Sequence, residues 1–101
     1  MSNCSLLITE PDGKKRVVPV EQPVLSFGRA PENDVVLTDT ELRVSRHHAV
    51  IEWNAAQGAT IRDEGSANGT FVNQQKIAGP VLLKSGDRIG IGPHELTFKQ
   101  E

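Results

Sequence analysis

This 101-residue sequence predicts an all-β fold, a sandwich of two sheets, and three observations carry that prediction. Apolar residues come in short bursts, and nowhere do they recur at i, i+3, i+4, i+7 over the length of a helix. Nine glycines and six prolines stand between the bursts as turn formers, with no long linker and no low-complexity run. The bursts follow one another at the short, regular spacing of a two-sheet β protein.

Taken in order, the first strand is 4–9, closed by the turn Pro11-Asp12-Gly13, and the second is 16–20. The third, 24–28, ends on Gly28 ahead of the turn Pro31-Glu32-Asn33-Asp34. A short fourth strand, 35–37, leads into the longest loop, Thr38 to Val44, which is rich in charge; loops of this kind often carry function. In the fifth strand, 48–54, alternation puts Ala49, Ile51 and Trp53 on one face and His48, Val50 and Glu52 on the other. Gln57-Gly58 turns into the sixth strand, 59–63. Asn68-Gly69, the strongest hairpin signal in the chain, precedes the seventh, 69–72. Strands 75–77 and 81–83 are divided by Gly79-Pro80. Ser85-Gly86-Asp87 opens the strand 87–91, where Ile89 and Ile91 share a face, and Gly92-Pro93 turns into the last, 95–99.

The length supports one core, so a single domain is expected over 1–101, burying roughly 60 to 68% of the unfolded surface. Met1 and the polar end Lys99-Gln100-Glu101 fit either a short protein or the N-terminal domain of a longer one. Cys4 is the sole cysteine and cannot form a disulfide within the chain, in keeping with a reducing, cytoplasmic setting. No stretch approaches the ~20 apolar residues of a membrane helix, and the N-terminus lacks the pattern of a secretory leader, so no membrane insertion is expected. A formal net charge of −2 argues against nucleic acid as a partner, since such binders rely on cationic contacts to phosphates. A single anionic ligand stays open. Between Arg29 and His48 three arginines stand against four carboxylates, so any basic pocket requires the fold to sort these charges.

Three polar clusters could make such a pocket. Arg29 follows a strand directly, where its guanidinium can give a phosphate two parallel hydrogen bonds or form a weak surface ion pair. Gly28 before it can simply relieve a bulge. Ser45 can donate to an anionic oxygen, with Arg46 adding charge at the rim, or bond its own backbone. His47 and His48 do not make a metal pair, because adjacent strand residues point to opposite faces. An outward His47 and an inward His48 that bonds nearby backbone and steadies the Ser45 loop are expected. Asn68 offers an amide that donates and accepts, at a position that also reads as a plain hairpin turn. No catalytic set competes: Ser45, His48 and Asp63 have no Gly-x-Ser-x-Gly elbow, and the glycines from Gly86 to Gly92 lack the Gly-Lys-Ser/Thr of a phosphate loop. An enzyme is not expected, nor is a cofactor or metal.

Taken together and in order, Phe27-Gly28-Arg29, Asn33-Asp34-Val35-Val36-Leu37, Val44 to Ile51 with its Ser45-Arg46-His47-His48, Asp63, Gly65 to Asn73 and Leu83 to Gly92 resemble the forkhead-associated (FHA) domain family over nearly the whole chain. The resemblance implies a sandwich of about eleven strands whose loops at one end bind threonine-phosphorylated proteins or peptides, placing the chain in a Ser/Thr kinase pathway. It implies phosphate contacts from Arg29 and Ser45 with Arg46 assisting, a peptide-backbone contact from Asn68, and structural roles for Gly28, His48 and Gly69. Arg43 lies where the family often reads side chains after the phosphothreonine, which implies a preference for an acidic residue. Ala67 departs from the pattern: many members carry Ser or Thr there, and here only the backbone amide can serve. That departure motivates the alternative of an FHA-like scaffold mediating phospho-independent protein contacts or oligomerisation.

Overall fold

In the computed structural model, which describes residues 4–100, all eleven expected strands form. They are β1 Cys4–Thr9, β2 Lys15–Pro19, β3 Val24–Gly28, β4 Val35–Val36, β5 Ala49–Asn54, β6 Gly58–Asp63, β7 Thr70–Val72, β8 Gln75–Lys76, β9 Val81–Leu82, β10 Arg88–Ile91 and β11 His94–Gln100. Two sheets result, one of six strands in the order β2-β1-β11-β10-β7-β8 and one of five in the order β4-β3-β5-β6-β9.

Period-two alternation decides which side chains enter the space between the sheets. From the six-stranded sheet come Leu6 and Ile8, Leu96 and Phe98, and Ile89 and Ile91, all fully buried. Facing them are Leu25 and Phe27, Ala49 and Ile51, and Ala59 and Ile61. Trp53 packs against this cluster but is only half-buried, so the face expected for Ala49, Ile51 and Trp53 holds with its last member at the rim. Each fully buried Leu, Ile or Phe contributes about 1.5–3 kcal/mol of transfer free energy, which makes this alternation the main determinant of the register.

One expectation is overturned. Asn68-Gly69 does not close a hairpin, because β6 belongs to the five-stranded sheet and β7 to the six-stranded one. The segment between them crosses the sandwich, and Gly69 supplies the left-handed φ of 88° that this crossing needs. An Asn-Gly pair meets a positive-φ requirement equally well in a hairpin or in a crossover, so local sequence does not separate the two.

Strand register gathers the loops. Phe27 pairs with Ala49, and Ala49 pairs with Asp63, so the end of β3, the start of β5 and the end of β6 lie at one edge. Ile91 pairs with Thr70, which brings the β10–β11 turn to the same end of the other sheet. The loops 29–34, 37–48 and 64–69 therefore converge there. Among the described residues no helix is long and apolar enough to cross a membrane.

Candidate functional site

The site is assembled from backbone first. The Arg29 N–H donates to Ser45 O at 3.0 Å, the Ala30 N–H to Arg46 O at 3.1 Å, and the His48 N–H to Phe27 O at 2.9 Å. The loop ending in Ser45-Arg46 is thereby laced to the end of β3. Gly28 is forced by this approach, since a Cβ placed there would sit 2.2 Å from the Arg46 carbonyl oxygen. Asn33, only 8% exposed, fills the remaining space. Its Nδ2 donates to Ala30 O at 2.9 Å and to Arg46 O at 2.7 Å. Sequence reasoning took Asn33 as a turn residue and missed this brace, because nothing local marks an Asn side chain as turned inward.

On that frame Arg29 is half-buried and its Nε donates to Val44 O at 3.1 Å, which fixes the plane of the guanidinium. Its terminal nitrogens have no carboxylate partner among the described residues, and neither does the exposed Arg46. Ser45 Oγ accepts the Ala67 N–H at 3.0 Å. One lone pair is thus occupied while the hydroxyl proton stays available to a ligand. The Ala67 amide, which the sequence offered as the replacement for a missing hydroxyl, is spent on orienting Ser45.

His48 is the keystone of the loops. It is fully buried, its Nδ1 lies 3.0 Å from the Ser45 N–H and its Nε2 lies 2.8 Å from Gly69 O. A backbone N–H can only donate, so Nδ1 accepts and the ring proton sits on Nε2, donating to Gly69. One neutral imidazole therefore ties the Ser45 loop to the Asn68-Gly69 loop, as the inward orientation implied. His47 points outward, 59% exposed at the side chain, with Nε2 3.5 Å from Glu32. The trio Ser45, His48 and Asp63 forms no relay, since His48 meets the amide of Ser45 and Asp63 is bound elsewhere.

Asn68 donates its Nδ2–H to Arg43 O at 2.9 Å, so the third cluster joins the long loop directly. The Arg43 guanidinium is taken up by Glu41 at 2.8 Å and Asp39 at 3.4 Å. Of the three arginines in this region, the fold neutralises Arg43 and leaves Arg29 and Arg46 without an acidic partner among the described residues. That is the charge sorting the sequence required.

Beneath the Asn68 loop, Asp63 Oδ2 accepts the N–H groups of Gly65 and Ser66, each at 2.9 Å. Its Oδ1 accepts the Ser66 hydroxyl and, at 2.7 Å, the Thr70 hydroxyl. Burial works against its ionisation, but the bonds from Ser66, Thr70 and Gly65 outweigh burial and hold the carboxyl below the ordinary 3.8. A carboxylate whose pKa is lower folded than unfolded stabilises the fold above its unfolded value. That stabilisation is lost as pH falls from about 3.8 through the folded value. Asp63→Asn is therefore expected to lower stability at pH 7 by about 1–3 kcal/mol and to flatten the loss of stability below pH 4, as followed by thermal unfolding across pH. An unchanged acid limb in the variant would refute this role.

Among the described residues no group of three or more His, Cys, Asp or Glu could hold a metal ion. Comparison with known proteins places this geometry in context. A family model described as the FHA domain matches residues 25–92. The glycogen accumulation regulator GarA of Mycolicibacterium smegmatis is 35% identical over 99 residues, covering 96% of this chain and 60% of that protein. The transcriptional regulatory protein EmbR of Mycobacterium tuberculosis is 39% identical over 84 residues, covering 83% of this chain and 21% of that protein. The solved structure of EmbR in complex with a low-affinity phosphopeptide superposes with a TM-score of 0.81 at 35% identity, over 96% of this chain and 24% of that one. A domain solved in a study of phosphothreonine-dependent FHA domain interactions superposes at 0.82 with 31% identity, over 96% of this chain and 97% of that one. The chain thus spans about a fifth to three fifths of the length of these curated relatives.

Proposed function

The chain belongs to the FHA domain family, and on that premise we propose that it is a phosphothreonine-binding module, docking threonine-phosphorylated partners of a Ser/Thr kinase pathway. One observation carries the proposal: among the described residues of a chain of net charge −2, Arg29, bonded through its backbone to Ser45, and Arg46, next to Ser45 in sequence, have no acidic partner, and the Ser45 hydroxyl accepts a hydrogen bond without donating one. Arg29 and Ser45 hold the phosphate, Arg46 adds charge at the rim, and Asn68 bonds the peptide backbone beside it. Gly28, His48 and Gly69 keep the loops in register, and the Ala67 amide orients Ser45. The domain performs no bond-making step; it discriminates by charge and hydrogen bonding.

A phosphothreonine brings about −1.5 to −2 charge and three acceptor oxygens at pH 7, neither of which plain threonine has. Charge-assisted bonds contribute roughly 1.5–3 kcal/mol each, so three or four supply most of the ~8 kcal/mol of a micromolar complex. Preference for threonine over serine requires burial of one methyl group, on the order of 1 kcal/mol and hence about fivefold in affinity. Calorimetric titration with matched phosphothreonine, phosphoserine and unmodified peptides tests this. Micromolar binding of the first, weaker binding of the second and none of the third are expected. Equal affinity for phosphorylated and plain peptides would replace the proposal with a phospho-independent scaffold.

A further inference from the structure

The strands divide the charge of the chain between the two sheets. Those of the six-stranded sheet carry Lys15, Arg16, Lys76, Arg88 and Lys99 against the single carboxylate of Glu95, whereas those of the five-stranded sheet carry Arg62 against Glu52 and Asp63. Arg16 is held at the sheet edge by Glu10 at 2.9 Å and by Val36 O at 2.8 Å. Lys15, Lys76, Arg88 and Lys99 are exposed, and none of them meets a carboxylate among the described residues.

Register puts all four on the solvent side of the sheet. Lys15, Thr9, Glu95, Gly90, Phe71 and Lys76 pair in succession across it and form one row. The next row of the same face runs Val17, Leu7, Thr97 and Arg88, with Lys99 beyond it. Cations thus surround an apolar centre, in which Val17 is 66% exposed and Leu7 and Phe71 are half-buried. An apolar centre within a charged rim is the make-up of a protein-binding surface.

Gly90 points to an occupant. It lies inside β10 without a left-handed φ, and a Cβ there would meet only Phe71 Cβ, at an ordinary 3.5 Å. Neither backbone nor packing requires glycine at this place, and glycine weakens a strand. What the missing side chain leaves is a groove lined by Phe71, Arg88, Pro93 and Glu95. A strand glycine that the fold does not need, set in a face of unpaired cations, marks the close approach of another chain.

We propose that this sheet face is a second docking surface, which takes an acidic polypeptide segment with its carboxylates on Lys15, Lys76, Arg88 and Lys99 and a large apolar side chain in the Gly90 groove. Charge complementarity selects an acidic segment. Glu95 and the exposed Val17 select a polypeptide over nucleic acid or an anionic lipid surface, whose unbroken negative charge Glu95 repels. Lys76 and Lys15 stand on the two edge strands, about 24 Å apart by strand spacing, a distance that about seven extended residues span. The surface is separate from the Arg29-Ser45 site and does not depend on what binds there.

The test uses an unphosphorylated peptide of about ten residues, Asp and Glu around one central Phe, and a copy with Asn and Gln in place of the acids. Vesicles of phosphatidylserine are the third probe. Each is titrated against the wild-type chain and the variants Arg88→Glu, Gly90→Val and Lys84→Glu, with amide chemical shifts mapping the site. The acidic peptide is expected to bind the wild type at least about tenfold more tightly than its neutral copy, to shift amides of β7, β10 and β11, and to lose that advantage as salt is raised. Arg88→Glu and Gly90→Val should each weaken it about tenfold, the second without lowering the Tm, since valine suits a strand. Lys84→Glu makes the same charge change outside the strands and should cost less than about twofold. Absence of acidic-peptide binding, equal binding of the neutral copy, shifts confined to the loops 29–34, 37–48 and 64–69, or binding to the vesicles in place of the peptide would each overturn the proposal. So would full affinity in Arg88→Glu or in a folded Gly90→Val.

Discussion

Arg29→Ala is expected to weaken binding of a phosphothreonine peptide by about a hundredfold or more while lowering the Tm by only a few degrees. The asymmetry follows from how the side chain is held. Only Nε is used internally, in one bond to Val44 O at 3.1 Å, and losing such a bond costs about 0.5–1.5 kcal/mol. The terminal nitrogens have no carboxylate partner among the described residues, so their hydrogen-bonding capacity is reserved for a ligand. Two charge-assisted bonds to phosphate amount to about 3–6 kcal/mol, and 3 kcal/mol already corresponds to more than a hundredfold in affinity.

Arg29→Lys separates charge from geometry. A lysine keeps the positive charge but cannot reach Val44 O and offer the parallel pair together, because its donors radiate from one nitrogen. Its affinity should fall between those of wild type and Arg29→Ala. Calorimetry on all three proteins, with the Tm of each from thermal unfolding, provides the readout. Retained wild-type affinity in Arg29→Ala would move the phosphate away from this corner of the sandwich, and a collapse of the Tm would make Arg29 a structural residue instead.

The fold was legible because its information is local and periodic. Alternation in 48–54 and 87–91 and the Gly and Pro between bursts mark strands whatever lies across from them, and eleven were found with ends shifted by about one residue. The identity of the site residues was legible only as an ordered set, since Arg29, Ser45 and Asn68 each have an ordinary reading alone. Spatial pairing was not legible. Asn68-Gly69 looks like a hairpin because its backbone requirement is local, whereas its sheet-crossing role depends on Thr70 pairing with Ile91. The capture of Arg43 by Asp39 and Glu41, the inward turn of Asn33 and the bond from the Ala67 amide to Ser45 join groups whose meeting is decided by loop conformation. A sequence lists such donors and acceptors without pairing them. Leu42 is the sharpest case, because its propensity argues against the left-handed φ of 57° that the bonds of Asp39 to the Glu41 and Arg43 N–H groups impose on it.

His48→Leu carries the largest expected stability effect, a loss of about 2–5 kcal/mol and a fall in Tm of at least about 10 °C. Leucine has nearly the volume of the imidazole, so the change leaves little cavity and isolates the hydrogen bonds. The Ser45 N–H and the Gly69 carbonyl lose the ring that lies 3.0 and 2.8 Å from them, and neither has room for water in a site where the ring itself is fully buried. Each unpaired group costs about 1–3 kcal/mol. In a domain of ordinary stability, 5–15 kcal/mol, that is a large fraction of the whole. The two loops also become independent. Ser45 and Asn68, one on each side of the ring, are then no longer held at a fixed separation, and phosphopeptide affinity should drop by tenfold or more even at temperatures where the variant is folded. Amide hydrogen exchange at Ser45 and Ala67 distinguishes this from general destabilisation. Both amides should exchange much faster in His48→Leu than core amides such as Ile51 and Ile61, whereas a uniform rise across all of them would mean that the ring packs the core without coupling the loops.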